Sequence, residues 1–360
     1  MFGFNHKLLD QRQPSIKSDW HGQQRHFDTV VFVHGIIGSY QTTWGRFPEL
    51  LASDEDLPHL DILSWGYRSG FIPGSYQDVE TEGDGLIADV ESLVRQDNQI
   101  FLVGHSMGGL VILKGLVNRI YDQGARKHPV KTVNRIVLYA TPLLGSAVAN
   151  VVLFTLGIKL ATRLLLRVMP GKQLSDLRRG DFCDQLLSDS NRLVYRPKGD
   201  DVLATRAIPV LTCTAKHDAL VAKRSAIGIF VDPDPKHLEA THTSIKLPDH
   251  HRDTRYLALK HQLTQGLTQS FHELCLEVKT NPKRSSRAKA AQRLDEQYGP
   301  MMRRCTEACV APKAATAEDL SKISGLIFAA GAEEAAEPAQ VMAQVQRDYR
   351  YQDDPRLNLS

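Results

Sequence analysis

The sequence predicts an α/β fold built on a mostly parallel, doubly wound sheet, and three observations point there. Short β-branched runs recur through the first 275 residues, segments with helical periodicity lie between them, and the runs are apolar throughout rather than alternating. Alternation of strand and helix is the sequence form of βαβ units, and unbroken apolar strands suit a sheet covered on both faces. The strand candidates are residues 29–33, 60–64, 99–103, 134–139 and 208–212. Residues 84–95 and 108–121 repeat apolar positions at three- and four-residue spacing and read as helices packed on the sheet, and 255–275 reads as a closing helix.

The 360 residues allow one domain of about 250 residues and an appendage. The expected division is a lead-in over 1–27, a main domain over 28–278 with an inserted cap at about 147–205, and an extension over 279–360 that is partly helical or disordered. The cap interval interrupts the alternation with VVLFTLGIKLATRLLLRVM and then a polar piece, KQLSDLRRGDFCDQLL. The extension shifts composition twice, from the basic NPKRSSRAKAAQR to the alanine-rich, acidic AAGAEEAAEPAQ.

With 42% hydrophobic and 24% charged residues the chain is of ordinary globular composition rather than disordered. Its 44 basic and 41 acidic residues nearly cancel, so no global field argues for nucleic acid, and none is expected as a partner. The basic run from Lys283 to Arg304 reads as a solvated helical face, with contact to nucleic acid or anionic lipid as the alternative. Five cysteines, an odd count, do not make a disulfide scaffold, and MFGFNHKLLDQRQPS lacks the apolar stretch of a signal peptide. The expectation is a cytoplasmic protein, in peripheral contact with a membrane if the cap binds one. From Ile136 to Ile158 no residue is charged, but Thr141-Pro142, Gly145-Ser146 and Asn150 make this a strand, a turn and an apolar helix rather than a membrane span. Cys305 and Cys309 lie a helical turn apart without neighbouring histidines, so no metal is expected.

The chemistry is carried by Gly104-His105-Ser106-Met107-Gly108, which follows the strand candidate QIFLV and opens the helix candidate GGLVILKGL. This is G-x-S-x-G in the strand-turn-helix context that makes it a nucleophile elbow of the α/β-hydrolase fold. The sharp turn strains the serine, and Gly104 and Gly108 with His105 support it. A serine hydroxyl needs a histidine to take its proton and a carboxylate to orient that histidine. In this fold they follow in the order acid, then histidine. Asp218 in TAKHDALV, just after a strand, is the acid candidate, ahead of Asp201, Asp232 and Asp234; His242 in EATHTSIKLP is the base, ahead of His250 and His251 in PDHHRD. The backbone amides of Met107 and of Ile36, in VVFVHGIIGS, are the candidate oxyanion donors, and His34 reads as a histidine packed under that loop. No cofactor is implied, since 104–109 lack the lysine and Ser/Thr of a phosphate loop.

Taken together, VVFVHGIIGS, Thr43-Trp44, LSWGYRS, LVGHSMGGLVILKGL, YATPLLGS and HTSIK resemble the SERAC1-like and PGAP1-like branch of the α/β hydrolases, close to the hydrolase domains attached to STAND proteins. The resemblance runs from about residue 28 to about 262. It adds support for Asp218, through Val221, Ser225 and Ala226, and for His242. Relatives usually carry Gly-Thr-Pro-His-x-Gly-Ser where this chain has Ala140-Thr141-Pro142-Leu143-Leu144-Gly145-Ser146, without the glycine and the histidine. Members are linked to lipid, glycerophospholipid and GPI-anchor ester chemistry.

The function expected is therefore hydrolysis of a carboxylic ester through an acyl-enzyme on Ser106, with a lipid-like substrate favoured. Leucines and valines interleaved with Lys159, Arg163 and Arg167 suit a lid on an anionic membrane, although an ordinary cap helix with its charges in water accounts for them as well. Two alternatives stand beside it: an acyltransferase or thioesterase with the same triad, and a non-catalytic module that recruits a partner. Oligomeric state is not readable from the sequence.

Overall fold

The computed structural model describes residues 17–21, 27–36, 38–67, 79–95, 98–123, 132–143, 186, 188–190, 208–227 and 235–303. The expected cap is therefore almost entirely outside the described residues, as are Asp201, Asp232, Asp234, Cys305, Cys309 and the acidic part of the extension. The chain divides into two compact units, residues 1–53 with 60–262 and residues 54–59 with 263–360.

The first unit holds a seven-stranded sheet. Its strands are β1 (Lys17–Trp20), β2 (Thr29–Val33), β3 (Asp61–Gly66), β4 (Ile100–His105), β5 (Val133–Tyr139), β6 (Val210–Ala215) and β7 (Lys236–Leu238). They lie in the order β1-β3-β2-β4-β5-β6-β7. Every neighbouring pair is parallel except β1 with β3. From β2 the chain crosses to β3 on one side and then returns to place β4 on the other, so the strand order reverses between β2 and β4. Such a switch point opens a crevice beyond the carboxyl ends of the strands.

Five of these strands fall close to the positions expected from the sequence. The two edge strands do not declare themselves. β1 lies within the stretch read as a lead-in, and its KSDW is neither apolar nor alternating; β7 has three residues, one of them charged. Edge strands are half-exposed, so their sequences escape the apolar pattern of the centre.

The central strands are buried along their whole length, and their side chains divide between two faces. On one face Val31, Val33, Leu102, Ile136 and Leu138 join a core built with α2 (Val79–Leu93) and α3 (Met107–Gln123). On the other, the Phe32 ring packs at a tilt against Trp44 at 4.7 Å and against Phe47 of α1 (Phe47–Ala52) at 5.7 Å. Phe47 lies 5.8 Å from Tyr139 and 6.0 Å from Tyr256. A short helix, α4 (Lys223–Ile227), follows β6, and α5 (Thr254–Thr280) opens with Tyr256. The expected closing helix is thus present and longer at both ends. The boundary between the two units falls within it, whereas composition shifts only beyond residue 278.

In the second unit, α6 (Arg284–Arg293) leads into a π-helical turn, Leu294–Tyr298. Tyr298 packs edge-on to Phe271 at 5.3 Å, and its hydroxyl donates to the Leu267 carbonyl. Of the basic side chains of α6, Arg284 and Lys289 are exposed, while Arg287 and Arg293 are half-buried and Arg287 donates to the Asn281 carbonyl. Among the described residues no helix is long and apolar enough to cross a membrane.

Helices α2 and α3 cross through a pair of glycines. A Cβ on Gly115 would lie 2.3 Å from the Gly83 carbonyl oxygen, and one on Gly83 would lie 2.7 Å from the Gly115 nitrogen. The backbones meet with no side chain between them, and Asn118 donating to Asp84 seals the rim. Because the obstacle is rigid helix backbone, Gly115→Ala should destabilise the fold by about 1–3 kcal/mol, as overpacking does. Urea unfolding followed by circular dichroism tests this; an unchanged midpoint would show that the helices can separate freely.

Candidate active site

The candidate site lies at the carboxyl ends of β2, β4, β5, β6 and β7, beside the switch point. β4 ends at His105, α3 begins at Met107, and Ser106 is the one residue between them. Turning the chain within that single residue places Ser106 in the left-handed region, at φ 52°. An L-residue there costs roughly 1–2 kcal/mol. The sheet holds it in place: the Ser106 N–H donates to the Tyr139 carbonyl at 2.9 Å, and its own carbonyl accepts from Gly109 at 3.1 Å. Gly108 is required by proximity, because a Cβ there would lie 2.3 and 2.4 Å from the carbonyl oxygens of Val33 and His34.

His242 comes to the serine from a loop after β7. Its Nε2 lies 3.1 Å from Ser106 Oγ, and its Nδ1 lies 2.8 Å from Asp218 Oδ2. The carboxylate requires the proton on Nδ1, which leaves the Nε2 lone pair facing the hydroxyl. Asp218 is held from behind, since its other oxygen accepts from the N–H groups of Leu220 and Val221 at 2.8 and 2.9 Å. Its side chain is buried, while that of His242 keeps 12% of its surface exposed. Beyond the strand ends the main chain ties the two loops together, with Lys216 and His217 donating to the Leu238 and Ala240 carbonyls.

The structure thus brings Ser106, Asp218 and His242 together. His250 is exposed, and His251 turns away to the Leu50 carbonyl at 2.9 Å and the edge of Tyr256. Met107 opens α3, so its N–H has no acceptor within the helix. Ile36 packs against Val221 and Ala226, which sets the loop after β2 beside the acid loop. Ala140 sits at φ 47°, in the left-handed region where a glycine is the residue least strained.

Two further histidines flank the site. His34 donates from Nδ1 to the Gly35 carbonyl at 2.8 Å, accepts at Nε2 from the Tyr67 N–H and stacks on the Tyr67 ring at 4.6 Å. It is a buried staple under the loop, as its sequence setting suggested, and burial lowers its pKa from 6.5 to about 4. His105 is pushed well below the ordinary value, first by burial and then by His242 and Lys246 nearby. Lys246 is buried, and desolvation lowers its pKa from 10.5 to about 8. Lys246 closes the HTSIK stretch already singled out in the sequence, though without a role of its own; beside it lies a Thr241–Ser244 brace in which each residue's side-chain oxygen accepts from the other's N–H. The T-x-x-S spacing, that of a capping box, was the signal for the brace.

With this geometry the chain has the α/β-hydrolase fold. Residues 23–175 match the family described as "Putative serine esterase (DUF676)", which supports a hydrolase at the coarse level of an esterase. Among solved structures the chain is similar to alpha/beta hydrolase domain-containing protein 10 from mouse, at 12% identity over 75% of this chain and 99% of that one, TM-score 0.44. It is also similar to the Pyrococcus furiosus esterase PF2001, at 20% identity over 70% and 86%, TM-score 0.45. A hydrolase from Pseudomonas aeruginosa gives 16% identity over 74% and 97%, TM-score 0.42. No curated protein matches the chain.

The lowered pKa of His34 has a consequence for stability. As pH falls, the unfolded chain takes up this proton near 6.5 and the folded protein only near 4. The stabilisation is therefore complete above 6.5 and is lost as pH falls from 6.5 through about 4, a total of roughly 3 kcal/mol. His34→Gln keeps an acceptor for the Tyr67 N–H and removes the titration. Urea unfolding at about pH 7 and about pH 4.5 should show the variant losing less stability than the wild type, by about 1–3 kcal/mol; equal losses would exclude His34 as a source.

Proposed function

We propose that the protein hydrolyses carboxylic esters through an acyl-enzyme on Ser106. The observation that carries this reading is the continuous path from Asp218 Oδ2 through the His242 ring to Ser106 Oγ, with steps of 2.8 and 3.1 Å. His242 Nε2 takes the hydroxyl proton as Oγ bonds to the ester carbonyl carbon. The carbonyl oxygen gains the negative charge and is met by the N–H groups of Met107 and Ile36, each donor worth about 3 kcal/mol in comparable sites. As the tetrahedral species collapses, the bond to the leaving alcohol breaks and that oxygen takes the proton from His242. Water then repeats the sequence on the acyl group, and Oγ recovers its proton. Asp218 stays ionised throughout, orienting the ring and stabilising its cationic form.

A lipid-like ester is the substrate class this reading favours, on the amphipathic sequence from Val151 to Met169 and its three cationic residues. This stretch lies outside the described residues. Purified protein should label with a fluorophosphonate and hydrolyse short-chain nitrophenyl esters. Ser106→Ala should abolish both, and Asp218→Asn should lower kcat by about 10⁴-fold. Wild-type protein that neither labels nor turns over ester would leave a non-catalytic module as the better account. Release of fatty acid from anionic phospholipid vesicles tests the lipid assignment, and activity confined to soluble esters would remove it.

A further inference from the structure

We propose that His105 is a positioning residue for the loop that carries His242: its ring holds the backbone of that histidine while the adjacent Ser106 faces the ring. This rests on the catalytic reading of Ser106, Asp218 and His242. The Nε2–H of His105 donates to the His242 carbonyl at 2.9 Å, and His242 Nε2 lies 3.1 Å from Ser106 Oγ. Two consecutive residues of one turn therefore grip the base at two points, main chain and side chain.

The surroundings of His105 allow it this one task. The residue is buried, Trp44 meets its ring edge-on at 6.4 Å, and the His242 ring lies 5.1 Å away. Its Nδ1 is buried and has no hydrogen-bond partner among the described residues. A neutral imidazole has a single N–H, and the His242 carbonyl fixes it on Nε2. Burial keeps the ring neutral, so no second cation arises beside His242 when that residue takes the serine proton.

The next two carbonyls show that the loop is held one peptide at a time. Thr243 O accepts from Lys246 Nζ and Ser244 O from Arg255 Nη1, both at 2.9 Å. Three successive carbonyls thus have three different side-chain donors. Lys246 sits in the 3-10 turn Ser244–Lys246 and Arg255 in α5, so both follow the loop itself. His105 reaches it from the β4–α3 elbow. Of the three donors it is the one that registers the base against the nucleophile, and in such pairs a misplacement of about 1 Å costs on the order of 10²-fold in rate.

Three variants separate this role from simple packing. His105→Gln carries its amide nitrogen as many bonds from Cβ as Nε2 is, so it can still reach the His242 carbonyl. His105→Asn places the nitrogen where Nδ1 was and falls short, and His105→Phe fills the space without a donor. With a soluble nitrophenyl ester, Asn and Phe should lower kcat by about 10- to 100-fold with KM within about twofold, and Gln should recover most of the loss. Fluorophosphonate labelling should slow in the same order. Wild-type kcat in the Asn or Phe variant, or a Gln variant as slow as Asn, overturns the inference. If Phe fails to fold, the Asn and Gln pair still decides, since both bury the same amide. Wild-type protein inactive towards ester and probe brings down the parent reading, and this inference with it.

Discussion

Ser106 turns the chain from strand to helix within one residue, and most of the site follows from that. The left-handed conformation lifts the Oγ clear of the sheet, but only if α3 starts directly beneath it. That start in turn leaves no space between the first turn of α3 and the end of β2, which is why Gly108 lies against the Val33 and His34 carbonyls. The strain of roughly 1–2 kcal/mol is small beside what anchors it. α3 buries an apolar face of Leu110, Leu113, Leu116 and Val117 against the sheet, and the Ser106 N–H continues the ladder to β5. A strained residue between two well-packed elements cannot relax without displacing one of them.

The parallel register then decides what can surround the serine. With β2 through β7 running the same way, every loop after a strand emerges on the same edge. Residues distant in sequence, Ile36, Ser106, Asp218 and His242, meet there because each immediately follows its strand or closely trails it. Acid and base loops are joined by main-chain bonds beyond β6 and β7, so the Asp218–His242 pair is set by the sheet before any side chain is placed. Asp218 then uses one oxygen for its own turn and the other for His242, a division of labour that leaves no freedom in the carboxylate.

The central part of this arrangement was legible in the sequence because central parallel strands are buried on both faces and so are written as apolar runs: TVVFV and IFLV cannot easily be anything else between helical patterns. Ser106 was legible because its turn demands glycines at fixed offsets. Asp218 and His242 were legible by chain order and loop setting, and the structure brings those two to the serine rather than His250 or His251. The edges were not. Lys17–Trp20 joins the sheet through backbone bonds that any sequence can make, and α2 begins at Val79, before the expected Asp84, because VETEGDG shows little apolar periodicity. The donors to the carbonyls of residues 242–244 escaped for the same reason: a bond to a backbone oxygen leaves no pattern in the residue that accepts it.

Burial also sorts the histidines of the site by charge. His34 and His105 have lost most of their hydration, and each in the neutral form uses its single N–H on a backbone carbonyl, with His34 also accepting from the Tyr67 N–H. His242 differs in two respects: its side chain keeps some exposure to water, and its Nδ1 faces a carboxylate rather than a carbonyl. A positive charge arising on His242 is therefore compensated by Asp218, whereas one on His105 would face the charges of His242 and Lys246, which oppose it. The three rings share one composition, yet only the ring beside Asp218 is placed to accept and return a proton. That asymmetry lies in what the other ring nitrogen touches, which the fold supplies and the residue type does not.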